Sequence, residues 1–408
     1  MKILCAFKTE LDMNNAQKTA CARHAGAARY AYNWGLARKI EAYQKGEKVP
    51  TAIDLHRELN TLKKGELAWM YAVSKCAPQE ALRNLDQAYA HFFRRVKEKK
   101  AGKKVQAGFP KFKSKKNGAG SFRLTGAIRV FEKAIQLPRL GCLRLKESDY
   151  LPVEGVHLLS ATVSERAGRW FVSLQVEMEI PDPEPAEKPV AGVDLGIHRM
   201  AQVSDGIYFE NPRALKSALT KLKRLQRVVS RRQKGSANRQ EAIRQLAKAH
   251  LRVANVRKNA IHQVTSLLTK TKSAIVLEDL NVSGMVKNHR LAQAIADVGL
   301  YEFRRQLEYK GAWYGCEALV ADRFYPSTKR CSQCGQVKPV MGLDQREYHC
   351  DICGLVMDRD LNAAINLEQL FSETTASSAG RYACGEHVRP GFQATLVETG
   401  TEHQSTSA

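Results

Sequence analysis

Two groups of residues in this chain have the types and spacing for chemistry. Cys331-x-x-Cys334 and Cys350-x-x-Cys353 form two knuckles with fifteen residues between them, and Gly335 and Gly354 follow where each needs a tight turn. Four thiolates so spaced match a tetrahedral zinc ribbon, and four protein ligands leave no open coordination position, so one structural Zn²⁺ is expected. The second group is acidic: Asp194 in GVDLG, Glu278 in IVLEDLN, and the pair Asp358 and Asp360 in DRDLNAAIN. One acid after an apolar run says little. Asp194, however, lies in a strand-like run between glycines, where an unpaired carboxylate is costly and a cation would relieve the cost. Carboxylates far apart in sequence that converge are what a two-Mg²⁺ phosphoryl-transfer site needs, because hard oxygen ligands hold ions that stabilise the attacking and leaving oxygens.

The rest of the chain must position these groups and bring a substrate to them. Its 408 residues carry 65 Lys+Arg against 41 Asp+Glu, a formal charge of +24, which points to a polyanion. Nucleic acid is favoured over a membrane, because no run of 18 apolar residues occurs and the start lacks a signal peptide's apolar core. A cytoplasmic protein, nucleoid-associated when bound to DNA, is expected. Beyond the knuckles, Cys5, Cys21, Cys76, Cys142, Cys316 and Cys384 are scattered, and most read as small buried hydrophobes.

A strand over residues 2–10 precedes helical spacing over 15–45 and again over 78–97, behind a proline suited to a first turn. The segment RRVKEKKAGKKVQAGFPKFKSKKNG follows, with eleven Lys/Arg, one Glu and two interleaved phenylalanines, a mixture suited to phosphates and bases. Arg94, Arg95, Lys103 and Lys104 are its candidate contacts. Period-two patterning over 121–180 predicts an antiparallel sheet or small barrel, with two strands joined around Ala167-Gly168. PDPEPAEKP then marks a domain boundary. A strand hairpin follows, then two helices over 214–270 broken at KGSAN. Residues 211–270 hold sixteen Lys/Arg to one Glu, too lopsided for a face that is only solvated. Leu222, Leu225, Val228, Val229, Ile243, Leu246 and Leu251 suit a hairpin with basic outer faces, whose candidate contacts are Arg224, Arg231, Arg232, Lys234 and Arg257. SAIVLEDLNV reads as a buried strand ending in acids, GLYEFRRQLEYKGAWYG as an amphipathic helix, and 373–408 as a disordered tail.

In this order, GVDLG, VLEDLNVSGM, the four cysteines and DRDLNAAIN resemble the RuvC-like nuclease core of TnpB, the transposon-encoded RNA-guided nucleases related to type V CRISPR effectors. ARYAYNWGLA is similar to the family's N-terminal helix, and RRQKGSANRQ through NVRKNAIHQ to its basic helical insertion. The resemblance implies an α+β multidomain protein: an RNase H-like (RuvC) domain with an inserted zinc ribbon, and an N-terminal β-barrel-type wedge domain carrying a helical recognition insertion. The expected boundaries are wedge 1–14 and 118–182, recognition helices 15–117, linker 183–190, RuvC-like segments 191–328 and 355–372, and ribbon 329–354. It implies Asp194, Glu278 and Asp360 as Mg²⁺ ligands, Asp360 because the family's acid precedes an asparagine, here Asn362, by two residues. Asp279, Asp358 and Asn362 take supporting roles, and Lys75 and Gln79 match positions near the target-adjacent motif.

The implied activity is guided cutting of target DNA beside a short motif. The implied partners are a guide RNA from the transposon end, the target DNA and a separate transposase. The competing readings are a catalytically silent guide-directed regulator, which the intact acids oppose, and a non-guided zinc-ribbon nuclease or transposase accessory.

Overall fold

The computed structural model describes the chain except residues 116–119, 184–186, 343, 378–397 and 400–408. Two compact units part at Ile180/Pro181, inside the proline-rich segment.

In the first unit, β1 (Lys2–Asp12) leads into α1 (Asn15–Gln44), whose N-terminus is closed by a reciprocal Asn14–Gln17 capping box. A second capping box, Thr51–Asp54, opens α2 (Ala52–Leu62), a helix not expected from the sequence pattern. A 3₁₀ turn (Ala68–Ala72) precedes α3 (Cys76–Lys100), which ends in Lys97, Lys99 and Lys100, where cations suit the helix dipole. Leu36, Leu55, Leu59, Leu82 and Leu85 are wholly buried where these helices meet. Then follow β2 (Ser121–Leu124), β3 (Arg129–Phe131), β4 (Ala134–Leu137), β5 (Gly141–Leu145), β6 (Val156–Arg166) and β7 (Arg169–Glu179). They form a sheet in the order β2-β6-β7-β1-β5-β4-β3, and β6 turns into β7 at Ala167 and Gly168, both with positive φ. β1 pairs with β7 along Lys2–Glu10 and switches to β5 at Leu11–Asp12, the kind of partner exchange that turns a corner in barrel-like sheets.

The second unit runs β8 (Ala191–Asp194), β9 (Arg199–Val203), β10 (Tyr208–Glu210), α4 (Ala214–Arg231), α5 (Ala237–Thr271), β11 (Ala274–Leu277), α6 (Val282–Met285), α7 (Ala292–Val298), α8 (Leu300–Tyr314), β12 (Glu317–Val320), β13 (Glu347–His349), β14 (Val356–Asp358) and α9 (Arg359–Ser377). Its main sheet is ordered β10-β9-β8-β11-β12, with β8, β11 and β12 parallel and β9 and β10 antiparallel. The central parallel strands read as continuous apolar runs because both faces are covered. On one face Val193, Ile275 and Leu277 share a core with Ile261 and Leu268 of α5 and Phe303 and Leu307 of α8. On the other, Val276 packs with Leu367 of α9. Gly192 pairs with Val276, and a Cβ there would lie 1.9 Å from the carbonyl oxygen of Ala364, so only glycine lets α9 come so close to β8.

The basic helices do fold as a hairpin, with Ala214, Leu222 and Val253 as its buried seam, but Ile243, expected in the seam, is exposed. Helix α9 runs on to Ser377, past residue 373 where the tail was expected to begin; 378–397 and 400–408 lie outside the described residues. Among the other cysteines Cys5, Cys21, Cys76 and Cys316 are buried as expected and Cys142 is exposed; Cys384 lies outside the described residues. Among the described residues no helix is long and apolar enough to cross a membrane.

Candidate active site and zinc ribbon

The parallel register explains where the first two acids fall. Val193 of β8 pairs with Leu277 of β11, so Asp194 and Glu278, each the next residue, emerge side by side at the carboxyl ends of neighbouring strands. Asp360 arrives from the first turn of α9, the helix seated on Gly192. Burial first, then Glu278, then Asp360 raise the Asp194 carboxyl well above the usual carboxylate range, with Arg359 pulling the other way. The charges that act on Asp194 thus come from acids on two other elements, β11 and α9. Their oxygens are not drawn into a single-ion cluster: among the described residues, only the four cysteines place three or more such ligand atoms within 4.8 Å of one another.

Glu278 and Asp360 each have a support. The Ser327 hydroxyl donates a short hydrogen bond to Glu278. Arg359 donates to Asp360 at 3.0 Å. Asp358 is occupied otherwise: its Oδ1 accepts the backbone N–H groups of Asp360 and Leu361, both at 3.0 Å, and its Oδ2 accepts Arg199 at 3.0 Å. It therefore caps α9 and aims the first turn that carries Asp360. Asp279 is also engaged, held by Arg304 of α8 at 3.2 Å and by Arg323.

The knuckles form twin turns. Cys331 N–H donates to Gln336 and Cys350 N–H to Leu355, both at 2.8 Å, while Gly335 and Gly354 take left-handed φ values of 76° and 74°. The sulfurs close on one another, Cys334 to Cys350 at 3.5 Å and Cys331 to Cys353 at 3.6 Å, around a fully buried Tyr348. The backbone N–H of Cys353 chiefly lowers the Cys350 thiol to about 6, while burial and the neighbouring thiols hold Cys334 and Cys353 above the usual thiol value, so the closeness of the four sulfurs, more than any one thiolate, marks the site. Soft sulfur donors in fours fit Zn²⁺.

Strand β14 of the ribbon runs straight into α9, which explains why a knuckle precedes the acids so closely. The ribbon's entry is clipped to the same helix. Asn362 donates to the carbonyl of Arg330 at 2.7 Å and accepts from Ser332 N–H at 3.0 Å, and Asn366 donates to the carbonyls of Ser327 and Arg330 at 2.8 and 2.7 Å. Ser327 thus ties α9 to Glu278. Ser327, Asn366, Arg199 and Arg323 were missed from sequence. The signal for Asn366 was present, since two asparagines four apart in LNAAIN lie on one helix face, and both are wholly buried.

Among the expected nucleic-acid contacts, Lys75 is exposed at the start of α3 and Gln79 is half-buried in its first turn. Arg94, Arg95, Lys103 and Lys104 are exposed, though Arg94 faces Glu98 at 3.8 Å and Arg95 donates to the Gln106 carbonyl at 3.5 Å. Both interleaved phenylalanines are exposed, but Phe109 also packs edge-on against Tyr89 and Phe92 and so fastens the segment to α3. Arg224, Arg231, Arg232 and Lys234 stand exposed on the helical hairpin. Arg257 departs from the expectation: it is spent on buried Asp297 at 2.8 Å, and Asp297 accepts the Leu215 and Lys216 N–H groups at the start of α4.

Fold and site together define a multidomain α+β protein of RuvC-like architecture, with a four-cysteine ribbon inserted just before its last acid. Family models match at residues 173–289 (a "Probable transposase" family, OrfB_IS605), 301–367 ("Cas12f1-like, TNB domain") and 1–48 ("Helix-turn-helix domain"), although Asn15–Gln44 here is one unbroken helix. A "Putative RNA-guided DNA endonuclease" of Streptomyces pristinaespiralis is 36% identical over 94% of this chain and 92% of its own length. The "Putative RNA-guided DNA endonuclease InsQ" of Escherichia coli K12 is 33% identical over 96% of each chain. The cryo-EM structure of a Cas12f1–sgRNA–target DNA complex shares the fold at a TM-score of 0.50 and 13% identity, covering 85% of this chain and 81% of that one. The chain belongs to the TnpB family.

Proposed function

We propose that the protein is an RNA-guided DNA endonuclease that cuts target DNA beside a short adjacent motif, with Asp194, Glu278 and Asp360 as ligands of two Mg²⁺ ions. The observation that carries this reading is geometric: the β8–β11 register sets Asp194 beside Glu278 at neighbouring strand ends, and α9, seated on Gly192, brings Asp360 from a third element. A fold that merely used these positions as structure would not concentrate negative charge there. Hard oxygen donors fit Mg²⁺, which when bound would supply charge stabilisation to the attacking and leaving oxygens of the phosphodiester.

The chain's own residues orient and hold. Asp358 and Arg199 fix the first turn of α9 and so the aim of Asp360; Ser327 fixes Glu278; Gly192 lets the helix reach the sheet. Asn362 and Asn366 couple that helix to the ribbon, which takes one structural Zn²⁺. Sequence is read by base pairing of a guide RNA from the transposon end, and the exposed cations of the α4–α5 hairpin and of residues 94–104 grip backbones. Strand joining belongs to a separate transposase, and the complex works in the cytoplasm on the nucleoid.

The test supplies purified protein with RNA from the end of its transposon and a matched duplex in Mg²⁺. The expected result is cutting that requires RNA, match and metal together. Equal cutting without RNA would leave a non-guided nuclease.

A further inference from the structure

The first unit holds a cavity of about 850 Å³ that the nuclease reading does not use. It lies between α1 and the Ala68–Ala72 turn, and Arg23, Gly26, Arg29, Tyr30, Trp34 and Trp69 line it. The four α1 positions Arg23, Ala27, Tyr30 and Trp34 recur at helical spacing, so the helix presents them as one stripe. Tyr30 and Trp69 meet edge to face at 5.6 Å, yet remain 40% and 47% exposed, large aromatic surface left to water. Arg23 is exposed beside them, and no acid lines the cavity among the described residues.

Two glycines of α1 stand in opposite surroundings. A Cβ on Gly35 would lie 2.7 Å from Leu82 and 3.2 Å from Leu85, so close packing of α1 on α3 demands glycine there. A Cβ on Gly26 would meet nothing within 4 Å. Glycine inside a helix costs stability relative to alanine, and at Gly26 no close neighbour among the described residues requires it. What the missing side chain does provide is the floor of the cavity. At the rim, Asn33 holds the backbone of Lys113 through two hydrogen bonds of 2.9 and 2.8 Å, and the Lys113 ammonium sits 3.9 Å over the Tyr32 ring. The basic segment is thereby fastened next to the opening.

We propose that this cavity is a stacking site for an unpaired RNA base. The base lies against Trp34, Tyr30 and Trp69 over the Gly26 floor, and Arg23 contacts the flanking phosphate. Flat aromatic faces flanked by guanidiniums suit splayed-out bases, which RNA offers in loops and bulges. This rests on the RNA-guided reading for its choice of RNA, since a guide is bound before any target strand is opened to leave bases unpaired.

The test measures binding of the whole protein, without target DNA, to a labelled RNA hairpin bearing one unpaired nucleotide and to the same hairpin fully paired. Gly26→Leu plugs the floor while leaving every aromatic in place and favouring the helix. It, Trp34→Ala and Trp69→Ala are each expected to weaken binding of the bulged RNA about 5- to 150-fold, with paired RNA and the salt slope unchanged. Trp69→Phe keeps most of the affinity, and Arg23→Gln lowers the log–log salt slope by about 0.7. Equal losses on both hairpins, no loss with Gly26→Leu, or equally tight and equally sensitive binding of a bulged DNA hairpin would each overturn the proposal. The predicted losses in the variants, beside a wild-type protein that never cuts guided DNA, would overturn the nuclease reading and leave the stacking site standing.

Discussion

The ribbon and the acid site both call for a cation, and they are assembled in opposite ways. The ribbon gathers its four ligands within 23 residues, from two tight turns and a short hairpin around a single buried tyrosine, too small a core to hold itself without metal. The acid site gathers Asp194, Glu278 and Asp360, each more than eighty residues from the next, on a sheet and helix that are already buried and packed. In the ribbon the ion organises the chain; in the acid site the chain is organised first and concentrates charge that an ion would relieve. The two regions should therefore respond differently to loss of ligand and loss of metal.

The largest difference is expected in activity. Asp194→Ala or Glu278→Ala should reduce guided cleavage by about 10³-fold or more, because several kcal/mol of charge stabilisation is lost, while guided DNA binding persists. Cleavage and electrophoretic binding assays on one preparation check both halves.

The converse pattern is expected for the ribbon. Cys331→Ser or Cys353→Ser should release the one zinc per chain and unfold the module, a loss seen by elemental analysis and by proteolysis within 329–358. Because Asn362 and Asn366 clip the ribbon to α9, cleavage should fall with it. Wild-type protein purified without chelator and free of zinc would contradict this.

The contrast between the regions also explains what could be read from sequence. The knuckles were legible because their ligands are local and spacing alone constrains them. Strand ends carrying Asp194 and Glu278 were legible because β8 and β11 are apolar runs closed by acids. Ser327, Arg199 and Arg323 were not, since nothing local distinguishes a serine that reaches a carboxylate 49 residues away from one that faces water. Helix α2 was missed although its Thr51–Asp54 capping box is written in the sequence, and Ile243 was assigned to a seam that Leu222 and Val253 fill. Arg257 shows another loss of information: a charged residue looks available until its partner, here Asp297, is seen.

A smaller effect separates the sites by pH. Asp194 keeps a proton in the metal-free fold at pH values where the unfolded chain has lost it, so its contribution to metal-free stability falls as pH rises above the ordinary aspartate value of about 3.9. Asp194→Asn should remove that slope, raise the metal-free Tm at neutral pH by about 2–4 °C per kcal/mol of repulsion relieved, and abolish the Tm increase on adding Mg²⁺. Scanning calorimetry at two pH values decides it; a variant less stable than wild type without metal would show that the carboxyl is not strained.

The smallest effect per residue is expected from the basic surface. Replacing Arg224, Arg231, Arg232 and Lys234 with Gln should lower the log–log salt slope by about 0.7–0.9 for each phosphate that is no longer neutralised, whatever the target sequence. Arg257→Gln should instead lower Tm, because it strands buried Asp297.

On this reading α9 delivers Asp360 to the other two acids while Asp358 caps the helix. Guided cleavage and guided binding measured side by side for Asp360→Asn and Asp358→Asn test it most directly. Asp360→Asn should bind the matched target and not cut, and Asp358→Asn, which keeps a capping oxygen, should still cut at a reduced rate. An Asp360→Asn protein that cuts normally beside an Asp358→Asn protein that does not would contradict it.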